Sequence, residues 1–400
     1  MSRVDFPAFD ADQHYYEAED AFTRHLPKDM QKRCMQWAVI NGKKRLLVAG
    51  KINRFIPNPT WDPVAKPGSL DAYFRGKNEG GLDVKTLFGE LDPLSEHPEY
   101  VTDRDKRLEV MDAQGVEAAY FFPTLAVGMQ QSLAHDLPAA VAAFEAFNRW
   151  MEEDWGFAYQ DRIFAAPVIT LVDPDAAVRQ VEWALDHGAR MVCMVPGPVP
   201  CETGSRSPAH PAYDKVWARI NEAGILVGIH GGDGGMNEYL AKWEETDEMQ
   251  AFRSTPLRQV MTHERQIFDT FAALICHGLF DRFPNLRMAS IENGGMFAPK
   301  LIEELHIAYG KMPQEFGKHP VEAFKEHVWV SPFYEDDIPH LKDLIGADHL
   351  LFGSDWPHAE GLADPTDFID DIPGFSDDEV RKIMRDNAWG LITPRSAVHA

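Results

Sequence analysis

Residues 163–195 read IFAAPVITLVDPDAAVRQVEWALDHGARMVCMV. The opening Ile163–Ile169 is a short β-branched and aromatic run of the kind a buried strand uses. Asp173 before Pro174 is an N-cap followed by proline at the first helical position. Gly188 stands where the resulting helix, Pro174–His187, has to stop. A second apolar run, Arg190–Val195, follows at once. Strand, capped helix and strand make the repeating unit of an α/β fold.

The same alternation continues on both sides. Ala8–Asp12, Ala118–Pro123, Ile225–His230, Leu286–Ile291, Val328–Ser331 and Leu350–Ser354 are further candidate strands. Helical patterns cover Asp105–Gln114, Ala139–Trp155, Pro211–Ala223, Glu264–Phe280 and Ile338–Leu344. Ser376 with Glu379 three residues later forms a capping box that opens a last helix, Asp377–Leu391. Eight strands with intervening helices over 400 residues predict a (β/α)8 TIM barrel, a single domain spanning 1–400. Residues 15–100 are far too long for a βα connection. Their turn residues (Pro57, Pro59, Pro63, Pro67, Gly68, Gly80, Gly81) predict an insertion between the first and second strands, lying over the C-terminal face. A separate small domain is the alternative.

Composition narrows the partners. Lys and Arg number 39 against 63 Asp and Glu, a net charge of −24. Such a chain repels phosphate backbones and anionic lipid, so neither nucleic acid nor a membrane surface is an expected partner. Apolar residues at 44% and charged residues at 26% are ordinary globular values, which excludes disordered and fibrous classes. No apolar run approaches the roughly 18 residues of a spanning helix, and the first residues lack an apolar signal core. Cys34, Cys193, Cys201 and Cys276 show no CxxC spacing, which suits free thiols in a reducing compartment. The expectation is a cytoplasmic protein acting on a small molecule.

In a β/α barrel, chemistry sits where strands end and loops begin. The first strand ends in Asp-Ala-Asp-Gln-His, placing Asp12 and His14 two apart, and i and i+2 in a strand point the same way. The fifth strand ends at His230, the eighth runs into Asp355, and the sixth leads to Glu292. Two histidines with two or more carboxylates at one barrel mouth suit a divalent metal. Such an ion lowers the pKa of bound water from about 15.7 toward about 7, supplying hydroxide at neutral pH.

Asp10-Ala-Asp-Gln-His14, His230 closing a strand, and Phe352-Gly-Ser-Asp355-Trp-Pro-His358 together resemble the amidohydrolase superfamily. More narrowly, the chain is similar to the group containing aminocarboxymuconate-semialdehyde decarboxylase and aromatic-acid decarboxylases. Arg107-Leu-Glu-Val-Met-Asp-Ala-Gln-Gly-Val116, Phe283-Pro-Asn-Leu286 and Asp386-Asn387-Ala388 read the same way, so the resemblance covers nearly the whole chain. It implies a metal-dependent TIM-barrel enzyme that forms a homodimer, with one divalent ion, Zn or Mn, held by Asp12, His14, His230 and Asp355. Two departures matter. Asp12 stands where the family's His-x-His motif has its first histidine, and a more oxygen-rich site tilts the metal toward Mn²⁺. Where the decarboxylases carry Ala-His-Gly-Gly, this chain has Ile291-Glu292-Asn293-Gly294-Gly295. An unshifted glutamate is a base at neutral pH. Glu292 therefore suits a general base, a metal ligand, or a charge that turns carboxylate substrates away.

That substitution puts hydrolysis first. A metal-activated water would attack an amide, ester, lactone or thioester carbonyl of a small organic substrate, with Asp355 or Glu292 as catalytic proton carriers. The alternative is a metal-dependent, non-oxidative decarboxylase of an aromatic or unsaturated acid. A catalytically silent binding barrel ranks third. Single residues also have ordinary readings. A lone strand-end histidine such as His230 is usually a structural hydrogen-bonder, and Asp355 also suits a turn. His358 balances substrate contact against a surface histidine, and Glu17 balances substrate contact against an exposed first-turn carboxylate. His277 suits the last turn of a helix. Gly231-Gly-Asp-Gly-Gly235 lacks the Lys-Ser/Thr of a phosphate loop and reads as a flexible rim loop. Trp61, Tyr73 and Phe74 are candidates for a substrate lid or for packing within the insertion.

Overall fold

In the computed structural model, which describes residues 3–56, 66–76, 99–245, 255–262 and 264–395, strand β1 (Ala8–Tyr15) is buried at every position. A parallel strand covered on both faces normally reads as an unbroken apolar run. β1 breaks that rule at Asp10, Asp12, Gln13 and His14, all buried. The chain then forms an antiparallel meander of β2 (Met35–Ile40), β3 (Lys43–Val48) and β4 (Lys51–Ile52). β5 (Val116–Pro123) and β6 (Ile163–Ala165) pair with β1 in a parallel sheet of order β1–β5–β6. After β7 (Met191–Met194) comes a hairpin of β8 (Val199–Cys201) and β9 (Gly204–Arg206). β10 (Leu226–His230), β11 (Arg287–Ile291) and β12 (Val328–Val330) join β7 in a second parallel sheet, β7–β10–β11–β12.

Single parallel bridges connect the edges of the two sheets: Val168 to Cys193, Val330 to Leu350, and Gln13 to Trp356. The β6 ladder stops at Ala165 rather than at the predicted Ile169 for a local reason. Pro167 has no N–H to give, and Val168 hands its backbone to a side chain. Asn148 Nδ2 donates to the Val168 carbonyl at 2.9 Å, and Val168 N donates to Asn148 Oδ1 at 2.8 Å. Leu350–Ser354, predicted as a strand, forms no ladder beyond its bridges. A Cβ on Gly353 would lie 2.6 Å from Ser331 Oγ and 2.7 Å from Asp12 Cβ, so only glycine lets this segment approach β1.

The helices start where their caps say. Asp173 accepts from Asp175 N and Ala176 N with Pro174 at the first helical position. Ser376 and Glu379 form the reciprocal capping box, though that last helix passes through a π turn at Lys382–Asp386 before continuing as Asn387–Ile392. Helices Phe297–Lys311 and Pro320–His327 lie outside the predicted set. At the end of the strands remote from His14, the Phe9 ring meets Tyr120, Phe164 and Trp389 at centroid distances of 5.0, 5.9 and 4.8 Å. No helix of the described residues is long and apolar enough to cross a membrane.

Within residues 15–100 the described part is not only turns, since it holds the meander. Asn41-Gly42, both at positive φ, makes its first turn. The piece at residues 66–76 is stitched to the loop after Asp355: Gly68 N donates to the His358 carbonyl at 3.0 Å and Leu70 N to the Ala359 carbonyl at 2.7 Å. Tyr73 and Phe74 lie in its short helix Asp71–Phe74, with Phe74 exposed. Trp61 lies outside the described residues.

Candidate metal centre

Asp10 buckles β1 to the segment that carries Asp355. Its Oδ1 accepts from Asp12 N at 3.1 Å and Ser354 N at 3.0 Å, and its Oδ2 from Gln13 Nε2 at 3.0 Å and Ser354 Oγ at 2.5 Å. The register of β1 against β5 shifts between Asp10 and Gln13. Behind the strand lies the fully buried Arg107. It donates to the His14 carbonyl at 2.7 Å, Gln13 Oε1 at 3.3 Å and the Tyr100 carbonyl at 2.9 Å. Its guanidinium lies 4.5 Å from the Trp356 ring centroid and 4.9 Å from that of Phe121. Cation and π faces thus fill the space under the strand.

Above this floor, Asp12, His14, His230 and Glu292 present ligand atoms within 4.8 Å of one another. His14 Nε2 is 3.3 Å from Asp12 Oδ1 and 3.6 Å from Glu292 Oε2. His230 Nε2 is 3.5 Å from Asp12 Oδ1 and 3.0 Å from Glu292 Oε2. Asp355 Oδ1 lies 3.3 Å from the same His14 Nε2. Asp12 Oδ1, His14 Nε2 and His230 Nε2 are buried yet none makes a hydrogen bond of good geometry. A buried polar atom without a partner is costly, and three converging on one point fit a divalent cation. The His230 tautomer agrees. Nδ1 donates to the Gly231 carbonyl at 2.9 Å, which turns Nε2 toward the centre, as in histidines that bind metals.

The electrostatics are those of a site crowded with carboxylates. Burial would push His230 down, but Glu292 and Asp12 hold it up at about 10. Burial, then the neighbouring His358 and His230, keeps His14 well below the usual histidine range. Burial would raise Glu292, but His230 and His14 overcome it and leave it below the ordinary value. Asp355 is pushed well above the carboxylate range, by burial first and then by Glu292, Glu360 and Asp12.

Glu292 and Asp355 share a backbone feature. Their φ values are 53° and 56°, in the left-handed region that non-glycine residues seldom occupy. Each such residue costs about 1–3 kcal/mol, and they cluster at functional sites. Glu292 is also wedged from outside: a Cβ on Gly231 would lie 2.4 Å from the Glu292 carbonyl oxygen. The stretch Gly231–Gly234 packs against Val127, Pro196, Gln266 and Glu292, so glycine serves close approach here rather than a loose rim.

His358 places Nδ1 2.6 Å from Asp355 Oδ1 and stacks on His14 at 4.0 Å between centroids. Glu17 is buried, and its Oε1 accepts from Thr124 N, Leu125 N and Ala126 N at 3.0, 2.7 and 3.3 Å, so one of its oxygens caps the turn after β5. Its Oε2 has no partner. His277 lies outside this group, with Nδ1 2.8 Å from Ser207 Oγ. Sequence reasoning assigned no role to Thr124, Arg107, Asp10 and Glu360, a half-buried acid whose pKa its desolvation raises. Of these only Asp10, inside Asp-Ala-Asp-Gln-His, and Arg107, heading Arg-Leu-Glu-Val-Met-Asp-Ala-Gln-Gly-Val, lie in motifs the sequence shows.

A family model described as amidohydrolase matches residues 10–391. Among solved structures, an amidohydrolase of Mycobacterium avium subsp. paratuberculosis K-10 is 43% identical, with 99% of this chain and 100% of that chain covered and a TM-score of 0.93. Among curated proteins, a gamma-resorcylate decarboxylase of Rhizobium radiobacter is 23% identical over 303 residues, 72% of this chain and 86% of its own. A dihydroxybenzoic acid decarboxylase of Polaromonas sp. JS666, solved with manganese and 2-nitroresorcinol, is 17% identical, with 81% and 93% covered and a TM-score of 0.58. That last likeness is one of fold.

Proposed function

The chain belongs to the amidohydrolase family, and from that premise we propose that it is a metal-dependent, non-oxidative decarboxylase of an aromatic or unsaturated carboxylic acid. The observation that carries this is the convergence of buried Asp12 Oδ1, His14 Nε2 and His230 Nε2, none of them in a hydrogen bond of good geometry, beside Asp355. The curated relative that splits a carboxylate supports the choice of reaction. One Mn²⁺ or Zn²⁺ held by Asp12, His14, His230 and Asp355 would supply a Lewis acid for the carboxylate and a neighbouring oxygen of the substrate.

The chain's own residues supply the proton. The bond between the ring or vinyl carbon and the carboxylate breaks, its electron pair stays on that carbon, and CO₂ leaves. A proton from Asp355 then completes the new C–H bond. His358 Nδ1, 2.6 Å from Asp355 Oδ1, holds that carboxyl in place. Glu292, its side chain 30% exposed, borders the same space.

Hydrolysis is the second reading, and Glu292 is what favours it. A carboxylate 3.0 Å from His230 and open to the pocket can take a proton from an attacking water. The parallel ladders and the three bridges support a (β/α)8 barrel in one domain. The bonds from Gly68 and Leu70 to the His358 loop support an insertion lying over its C-terminal face. Homodimer formation and a cytoplasmic setting follow from the resemblance and composition alone.

The test is elemental analysis of protein purified without added metal, followed by CO₂ release from a panel of hydroxybenzoates. Metal with CO₂ release supports the decarboxylase. Metal with ester or amide turnover and no CO₂ moves the chain to the second reading. Protein that neither carries nor binds metal overturns both.

A further inference from the structure

Thr124, at the turn after β5, has a hydroxyl with one proton and two neighbours that decide where it goes. Thr124 Oγ1 lies 2.9 Å from the Tyr15 carbonyl oxygen, which can only accept. It also lies 3.0 Å from His358 Nε2. The hydroxyl proton therefore belongs to the Tyr15 bond, and His358 must donate Nε2–H to Thr124. Nδ1 is then the nitrogen that faces Asp355 Oδ1, at 2.6 Å. All four groups are buried or nearly so, and solvent does not compete for these bonds.

Two consequences follow. With Nε2 committed to Thr124 and Nδ1 to Asp355, His358 has no nitrogen left for a metal ion, although it lies within ligand distance of His14 and Asp355. The Thr124 main chain is itself pinned, because Thr124 N donates to Glu17 Oε1. Glu17, Thr124, His358 and Asp355 thus form one line of hydrogen bonds from the end of β5 to the centre.

We propose that Thr124 is a positioning residue that fixes the tautomer and orientation of His358, and through it the aim of Asp355 at the metal centre. This rests on the metal-site reading above. Partners that orient metal-binding side chains typically contribute 10–100-fold in affinity when removed.

The experiment compares wild type, Thr124→Ser, which keeps the hydroxyl, and Thr124→Val, which keeps the shape. Long-range ¹⁵N NMR of histidine-labelled, metal-free protein reads the His358 tautomer, and isothermal titration with MnCl₂ reads affinity. Wild type and Thr124→Ser should carry the proton on Nε2 and bind Mn²⁺ alike. Thr124→Val should lose that fixed pattern and bind Mn²⁺ about 10–100-fold more weakly. A wild-type His358 with Nε2 unprotonated overturns the proposal even if Thr124→Val does not fold. So does a folded Thr124→Val with unchanged His358 signals and unchanged affinity. Failure of the function reading looks different: wild type then binds no Mn²⁺, while the NMR comparison still decides what Thr124 does to His358.

Discussion

His230 Nε2 lies 3.0 Å from Glu292 Oε2 across the ends of two adjacent parallel strands. His230 pairs in register with Ile291, so the glutamate is the first residue past the ladder. The left-handed backbone at Glu292 turns its side chain back over the strand ends instead of outward. Glutamine at this position keeps the shape and loses the charge. Glu292→Gln should lower turnover by about 100-fold or more if the carboxylate carries a proton. If it acts only to exclude anions, activity toward carboxylate substrates should rise instead. Steady-state rates on a hydroxybenzoate and on a neutral ester separate the two.

Of the proposed ligands, His230 has its tautomer set by its own backbone neighbour, so its removal should leave the fold and empty the centre. His230→Ala should fall from about one Mn or Zn per chain to none by elemental analysis. Its melting temperature should also stop responding to added MnCl₂. Wild type should gain about 2.7 kcal/mol at a free metal concentration of 100 times Kd. Chelation of wild type should reproduce the mutant's melting temperature.

The strand ends were legible because a strand carries its polar residues at the end where the loop begins. His230 after Ile-Leu-Val-Gly-Ile and Glu292 after Ser290-Ile291 announce themselves that way. Strict alternation would put Asp10, Asp12 and His14 on one face, and the register shift between Asp10 and Gln13 makes the surroundings of the two aspartates differ. Asp10 is consumed by four donors while Asp12 Oδ1 has none. The meander carries the strongest short hairpin signal, Asn41-Gly42, but the proline-rich stretch beyond it masks the alternation of its strands. What no local pattern could give is the meeting of Thr124 with His358, which are 234 residues apart. Hydrogen bonds between loops depend on the closed fold.

Arg107 tests the floor of the site. Three backbone or side-chain acceptors take its hydrogen bonds, and no water can replace a guanidinium packed among Trp356, Phe121 and Trp155. Arg107→Met should fill much of the volume and strand the His14 carbonyl. The cost should be about 2–4 kcal/mol, visible as a lower melting temperature. Mn²⁺ affinity should fall as well, since the His14 backbone loses its anchor.

Glu264 predicts a pH dependence that does not involve the centre itself. Its Oε1 accepts from Met296 N at 3.0 Å, in the loop that leaves Glu292. The same loop is held on its other side by Asp336, whose Oδ2 accepts from Gly295 N at 2.7 Å. Burial first, and then the charge of Asp336, pushes Glu264 from its ordinary 4.5 up to about 8. An acid raised by folding holds its proton more tightly in the native state than in the unfolded one. Its contribution is therefore complete below about pH 4.5 and is lost as pH rises through 8. Glutamine keeps the acceptor for Met296 N and never ionises. Glu264→Gln should match wild type near pH 5 and be more stable by about 1–2 kcal/mol above pH 8, after allowance for solvent screening of a partly exposed group. Chemical denaturation across pH 5–9 measures this. Parallel curves for the two proteins would mean that Glu264 is ionised throughout and that the clamp on the Glu292 loop does not titrate.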